Sequence, residues 1–244
     1  MIFYFTGTGN SLMAAKGVSE EGETLVNISE ARKQGKLTYD LAGERLGFVF
    51  PVYCYTIGDA VLDFVRNAEF SNAGYTFAIV TCGGGIGGTD VFLKKELAKK
   101  GITLSYATSL LMPDNTVFYW DIEPDEDNQK RLAAATTLLT QIKTELAEQR
   151  QKPAKGLSTR FLRPFYHMMT GTKKFSVEES CIHCGLCAKN CPDEAIELKD
   201  GLPVWVKNKC TKCSACINRC PVRAIQYGSG TKKRRRYRNP ALKG

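Results

Sequence analysis

Short apolar runs alternate with amphipathic stretches over the first 110 residues. Residues 2–5 (Ile-Phe-Tyr-Phe) form an apolar run that stops at Thr6-Gly7-Thr8-Gly9-Asn10-Ser11, after which Leu12, Ala14, Ala15 and Val18 recur at helical spacing. This predicts a strand, a tight loop and a helix. The pattern repeats: residues 24–28 and 46–52 read as strands, 58–67 as a helix, 75–82 as a strand, 89–100 as a helix and 102–111 as a fifth strand. Strands alternating with helices at this spacing predict an α/β class, a doubly wound parallel five-stranded sheet covered on both faces, with ligands beyond the carboxyl ends of its strands. Glycine-rich loops fall at three of those ends. Residues 129–150 read as one long helix, with Leu132, Thr136, Leu139, Ile142 and Leu146 along its apolar stripe. Residues 1–150 are therefore expected to form one domain, followed by a basic, irregular linker over 151–176.

Inside the linker, Phe161, Leu162, Phe165, Tyr166, Met168 and Met169 form an apolar patch flanked by Arg160, Arg163 and His167. Such a patch suits a membrane surface or, by preference, a helix packed between modules. The 244 residues, 43% hydrophobic, are enough for one ordinary domain and a small one. No apolar run reaches the roughly 18 residues a spanning helix needs, and the start lacks a secretory pattern, so a cytoplasmic protein is expected.

Charge is uneven. Residues 1–150 carry 14 Lys and Arg against 19 Asp and Glu, and the remainder carries 20 against 6, giving −5 in front and +14 behind. The densest run, residues 232–238 (Lys-Lys-Arg-Arg-Arg-Tyr-Arg), lies in a basic tail over 229–244. Such a run attracts nucleic acid, anionic lipid or an acidic redox partner, but is more often simply solvated.

The cysteines change the picture most. Eight of ten crowd into residues 181–220, as Cys181-Ile-His-Cys184-Gly-Leu-Cys187-Ala-Lys-Asn-Cys191-Pro192 and Cys210-Thr-Lys-Cys213-Ser-Ala-Cys216-Ile-Asn-Arg-Cys220-Pro221. Metal ligation explains this spacing better than disulfides. Two-residue gaps let three thiolates wrap one 4Fe–4S cube, and in this run the fourth ligates the other cube. That assigns Cys181, Cys184, Cys187 and Cys220 to one cluster and Cys210, Cys213, Cys216 and Cys191 to its mate. A structural zinc site uses four ligands in pairs rather than interlocked fours. Over about residues 175–228 the chain resembles the bacterial two-cluster ferredoxins, which implies a small α+β domain over 177–228. Two such clusters offset part of the rear half's positive charge. His183 occupies a spacer position from which it can tune a cluster or simply face solvent.

The first loop invites an anion, because successive N–H groups and hydroxyls surround a helix N-terminus. A P-loop needs Gly-Lys before Ser or Thr, and a dinucleotide fingerprint needs a third glycine where Leu12 stands. Thr6, Thr8, Gly9, Asn10 and Ser11 instead match the FMN-phosphate loop of the flavodoxin family, which the chain resembles there, with Gly7 inside the same loop. The resemblance implies that Pro51-Val52-Tyr53-Cys54-Tyr55 and Cys82-Gly83-Gly84-Gly85, continuing to Gly88, hold the isoalloxazine, with Tyr53 or Tyr55 stacked on the ring. The whole chain is similar to the flavodoxin–ferredoxin fusion flavoproteins of anaerobic microbes. That likeness implies that Met112-Pro113-Asp114-Asn115, with Tyr119 and Trp120, covers the flavin. Cys54 and Cys82 are either small buried thiols or redox-active, as a single reactive thiol or as a reversible disulfide beside the ring.

The leading expectation is an electron-transfer iron–sulfur flavoprotein with FMN and two 4Fe–4S clusters, exchanging electrons with a redox protein or small donor or acceptor. An alternative is a flavin-dependent reductase of a small substrate fed through the clusters. No acid for such a reaction stands out: the two histidines, His167 and His183, lie outside the flavin loops, and Asp59, Asp90 and Asp114 read as helix or loop caps. A third possibility is a redox sensor that binds nucleic acid through its tail, with salt-sensitive affinity. Whether the protein is an enzyme, and its oligomeric state, are left open by the sequence.

Overall fold

The structure, a computed structural model, describes residues 1–242. Its larger part is built on β1 (Ile2–Tyr4), α1 (Asn10–Val18), β2 (Leu25–Asn27), α2 (Ile28–Lys33), β3 (Thr38–Asp40), β4 (Leu46–Tyr53), β5 (Thr56–Ile57), α3 (Asp59–Asn67), β6 (Glu69–Ser71), β7 (Thr76–Cys82), α4 (Thr89–Ala98), β8 (Tyr106–Leu111) and α5 (Asp125–Ala147). Five strands pair in the order β2-β1-β4-β7-β8, parallel throughout, while short β5 turns back antiparallel on β4.

Alternation along the strands sends side chains to opposite faces. Phe3, Phe48 and Val80 pack with α2, α3 and α4, whereas Ile2, Val49 and Ile79 pack with α1 and α5. Both faces are covered, which is why β4 and β7 read as continuous apolar runs. Helix α5 begins four residues before the predicted 129 because Asp125, Glu126 and Asp127 occupy its first turn, where carboxylates favour the helix dipole. Strand β8 starts at Tyr106 rather than 102. Helix α2 escaped the periodicity, being six residues long; Asn27 caps it, accepting from the Ser29 N–H at 2.9 Å.

The stretch 151–176 packs between the two parts: its start bonds to the larger one, and at its end the Thr172 N–H donates to Asn208 O at 3.1 Å. Lys152 N–H donates to Ser105 O at 2.9 Å and Lys152 O accepts from Ala107 N–H at 2.8 Å, a ladder fragment beside β8. A 3₁₀ turn (Thr159–Leu162) then leads into α6 (Arg163–Met169).

The small C-terminal part holds β9 (Phe175–Val177), α7 (Leu186–Lys189), β10 (Ile196–Lys199), β11 (Leu202–Trp205), α8 (Ala215–Asn218) and β12 (Ile225–Tyr227), with antiparallel pairs β10–β11 and β9–β12. Its two halves echo each other at the 29-residue offset of the cysteines. Left-handed backbone recurs at His183 and Lys212, at Gly185 and Ser214, and at Glu194 and Arg223. This region is ferredoxin-like, and the whole is a parallel α/β sheet joined to it.

The two parts share cores. Cys213 and Ala215 lie in the cluster that contains Phe5, Ile57 and Ala60. Val117, Phe118 and Ile122 pack with Ile217, Ile225 and Tyr237. The basic run is folded back rather than solvated throughout: Arg234 Nη1 donates to Val117 O at 3.0 Å, and the Arg235 N–H to Asp121 Oδ1 at 2.7 Å. Lys232, Lys233 and Arg238 remain exposed.

Candidate functional site: two four-cysteine cavities

Each set of four cysteines predicted to share a cluster lines one cavity. Cys191, Cys210, Cys213 and Cys216 surround about 330 Å³ of non-protein space, walled by Phe118, Phe175, Ile196 and Trp205. Cys181, Cys184, Cys187 and Cys220 surround about 360 Å³, walled by Ile182, Leu186, Pro203 and Ile225. The crossing of Cys191 and Cys220 between halves follows from the fold: each Cys-Pro closes its own half and delivers its sulfur to the other half's turn. The thiols line a volume rather than converge on a point. Among the described residues no three His, Cys, Asp or Glu side chains gather closely enough to hold a single metal ion.

The donor sets fit 4Fe–4S clusters in chemistry as well as number. The Ala195 N–H donates to Cys191 Sγ and the Ala224 N–H to Cys220 Sγ, both at 3.3 Å and both four residues beyond the sulfur. Amide–sulfur bonds of this kind stabilise thiolate charge. Burial pushes the Cys213 and Cys216 thiols well up and that of Cys210 to about 11, so these groups resist ionising unless iron replaces the proton.

The cavities differ in their surroundings. The Cys181 set lies towards solvent, with Cys184 exposed. The Cys191 set faces the sheet, where Asp193 accepts from the Thr211 N–H at 2.5 Å and Thr211 Oγ1 at 2.8 Å. Thr211 Oγ1 also accepts from the Ala60 N–H at 3.3 Å, at the start of α3, and Tyr166 Oη donates to Thr211 O at 3.1 Å. These bonds tie the cysteine turn to the sheet's carboxyl end.

Lys212 holds the position that His183 holds in the other half. Its ammonium sits 3.3 Å from the Tyr227 ring centroid, 4.7 Å from Phe118 and 4.8 Å from Phe175. The residue is buried, and Nζ has no hydrogen-bond partner. Burial lowers its pKa to about 8, against the opposing pull of the Cys210 and Cys216 thiols. The sequence signalled this place only as a Lys-for-His change between repeats.

The N-terminal loop is packed against the chain's own residues. Thr6, Gly7, Thr8, Gly9, Asn10 and Ser11 do cluster at the end of β1, but Gly7 to Ser11 are buried against the chain's own residues. Thr8 Oγ1 accepts from Asn115 Nδ2 at 2.7 Å, Ser11 Oγ shares a bond with Thr81 Oγ1 at 2.8 Å, and Asn10 Nδ2 donates to Pro113 O at 2.8 Å. Tyr237 Oη and Asn239 Nδ2 donate to Asn10 Oδ1 at 2.7 and 3.1 Å, and the Asn239 N–H to Thr8 O at 2.8 Å. A Cβ at Gly7 would stand 1.9 Å from Cys213 O. The C-terminal tail and the Met112–Asn115 stretch thus cover the loop by bonding to its side-chain and carbonyl groups.

The loops expected to hold the ring lie together: a Cβ at Gly87 would stand 3.2 Å from Tyr55 Cβ and one at Gly83 3.1 Å from Asp114 Cβ. Tyr53 is wedged beside Phe5 and Tyr166, with ring centroids 6.4 and 6.3 Å away. Tyr55 is exposed, as are Gly84 and Gly85; Pro51, Val52 and Gly83 are half-buried. Cys54 and Cys82 are free thiols whose pKa values burial raises, the opposite of activation. The carboxylates serve structure: Asp59 pairs with Arg163, Asp90 Oδ1 accepts from the Val91 N–H, and Asp114 accepts from Trp120 Nε1 at 2.8 Å. His183 packs against Gly201, where a Cβ would stand 2.7 Å from its Nδ1. Among the described residues no helix is long and apolar enough to cross a membrane.

Residues 180–225 match the 4Fe-4S dicluster domain family. No curated protein matches the chain. A similar solved structure, that of the Trp repressor binding protein from Bacillus subtilis, is 14% identical with a TM-score of 0.36, over 57% of this chain and 96% of its own. The family match, falling on the residues that line both cavities, supports an iron–sulfur domain of the ferredoxin type in the C-terminal region.

Proposed function

We propose that the protein is an iron–sulfur electron-transfer protein whose two 4Fe–4S clusters are held by Cys181, Cys184, Cys187 and Cys220 and by Cys191, Cys210, Cys213 and Cys216. The observation that carries this reading is the pair of cavities, each lined by one interlocked set of four cysteines. Bound clusters supply one-electron chemistry. The chain's own part is to hold them: eight thiolates ligate, the Ala195 and Ala224 amides neutralise sulfur charge, and Trp205, Phe175 and Ile225 exclude water. Lys212 sets a buried cation beside one cavity, while the other opens to solvent, so the two sites are electrostatically unequal.

The strand order is that of flavodoxin sheets, which supports a flavodoxin-like origin for residues 1–150. A resident FMN is the reading that the covered loop disfavours. The test is to purify the protein without oxygen and assay iron, sulfide and released flavin on one sample. About eight irons per chain, four for each cluster, are expected with flavin far below one per chain. Fewer than four irons would sink the electron-transfer reading; stoichiometric FMN would show that the C-terminal tail leaves the loop.

A further inference from the structure

A wide cleft opens beside the Cys191 cavity. Phe118, Tyr119 and Tyr227 form its aromatic side, and Lys173, Lys174 and Lys209, all exposed, stand at its edge. Among the described residues no acidic one lines it; besides the lysines and the two tyrosines, the ionisable group there is His167. Phe118 belongs to both the cleft and the wall of the cysteine cavity. Next to it, α6 turns Phe165 and Met168 outward, 54% and 80% exposed.

We propose that this face docks a small acidic electron-carrier protein and is where electrons pass between that carrier and the cluster of Cys191, Cys210, Cys213 and Cys216. The inference rests on the reading of the cysteine cavities as cluster sites. The charge pattern selects the partner. An apolar centre with a rim of one sign is the anatomy of a transient interface steered by complementary charge, and redox encounters bury little surface, so a few lysines suffice. The cleft is open and its apolar neighbours point outward, which suits a convex protein surface better than a small molecule. One electron moves: the donor is oxidised, the acceptor reduced, and no bond forms or breaks.

The test uses the cluster-loaded full chain and an acidic 2Fe–2S ferredoxin as probe, with a basic c-type cytochrome for contrast. Iron content and EPR-monitored titration come first. If the wild-type chain holds no clusters, it is the cluster reading that fails. Anaerobic stopped-flow mixing, in the direction the measured potentials make downhill, then compares wild type with the combined variant Lys173→Glu, Lys174→Glu, Lys209→Glu. The expected result is a wild-type rate that falls steeply with salt and a variant about tenfold or more slower at low salt, with its rate towards the cytochrome raised. Unchanged rates overturn the proposal, as does an equal loss in a control with Lys16, Lys95 and Lys155 changed to Glu. Should the Glu variant lose iron, the corresponding Lys→Gln variant is judged by the same criterion. Salt-sensitive self-association, or sedimentation with anionic phospholipid vesicles, that the variant abolishes without slowing the ferredoxin reaction also overturns it.

Discussion

Gly7 shows how one residue carries the junction between the two parts of the molecule. Its φ is ordinary; what requires glycine is the Cys213 carbonyl, 1.9 Å from where a Cβ would stand. Gly7→Ala therefore has to push the cysteine turn off the loop, at a cost of about 1–3 kcal/mol. Gly84→Ala meets nothing within 4 Å and has no such effect. Thermal denaturation with iron retention checks the pair: a lowered melting temperature and loss of iron for the first, wild-type behaviour for the second. Lys212 acts electrostatically. Its ammonium lies beside the Cys191 set with three aromatic rings and no hydrogen-bond partner, so replacing it by Gln removes a cation that favours the reduced, more negative site. The expectation is a fall in one cluster's potential on the order of 40 mV, about 1 kcal/mol for one electron, with the other unmoved. EPR-monitored titration separates the two, and equal shifts in both would contradict a local charge effect.

At the scale of elements, the 29-residue repeat and the C-terminal tail behave differently. The repeat reproduces α7 as α8, with a left-handed cap at Gly185 and at Ser214, because each half solves the same problem of turning three cysteines round one volume. The tail has no such internal logic. Its ordering comes from what Tyr237 and Asn239 meet, namely Asn10 and Thr8. Removing residues 237–244 leaves Asn10 without two donors and uncovers Gly9, where a Cβ in the intact chain would meet Asn239 and Leu242. Truncation at that point is expected to speed hydrogen exchange in the first turn of α1 by an order of magnitude or more, with the strands of the sheet unchanged. Unaltered exchange there would mean that the tail merely lies on the surface.

For the whole molecule, the shared cores make the sheet and the cysteine module one packed body. Cys213 contributes to the core of the sheet while facing its own cavity, and Phe118, from the loop after β8, walls that cavity and lines the lysine-edged cleft. The same packing closes the N-terminal loop that the sequence reads as a phosphate cradle. Placement of the cleft, of the buried lysine and of the more exposed Cys181 set gives the molecule two unlike faces.

What the sequence determined by itself was whatever depends on neighbours in the chain. The interlocked cysteine sets follow from two- and three-residue gaps repeated once, and the five parallel strands follow from apolar runs long enough to be covered on both faces. The loop at Thr6–Ser11 was legible as an anion-binding pattern because hydroxyls and glycines are local. Only the tertiary structure decided what covers it: Asn115, Tyr237 and Asn239, over a hundred residues away, donate hydrogen bonds to Thr8 Oγ1 and Asn10 Oδ1. Lys212 was equally hidden, since its cage is assembled from Phe118, Phe175 and Tyr227 on three separate segments. Spacing along the chain fixes which groups can share a ligand nearby, whereas burial and charge balance depend on contacts between distant segments, which no local pattern encodes.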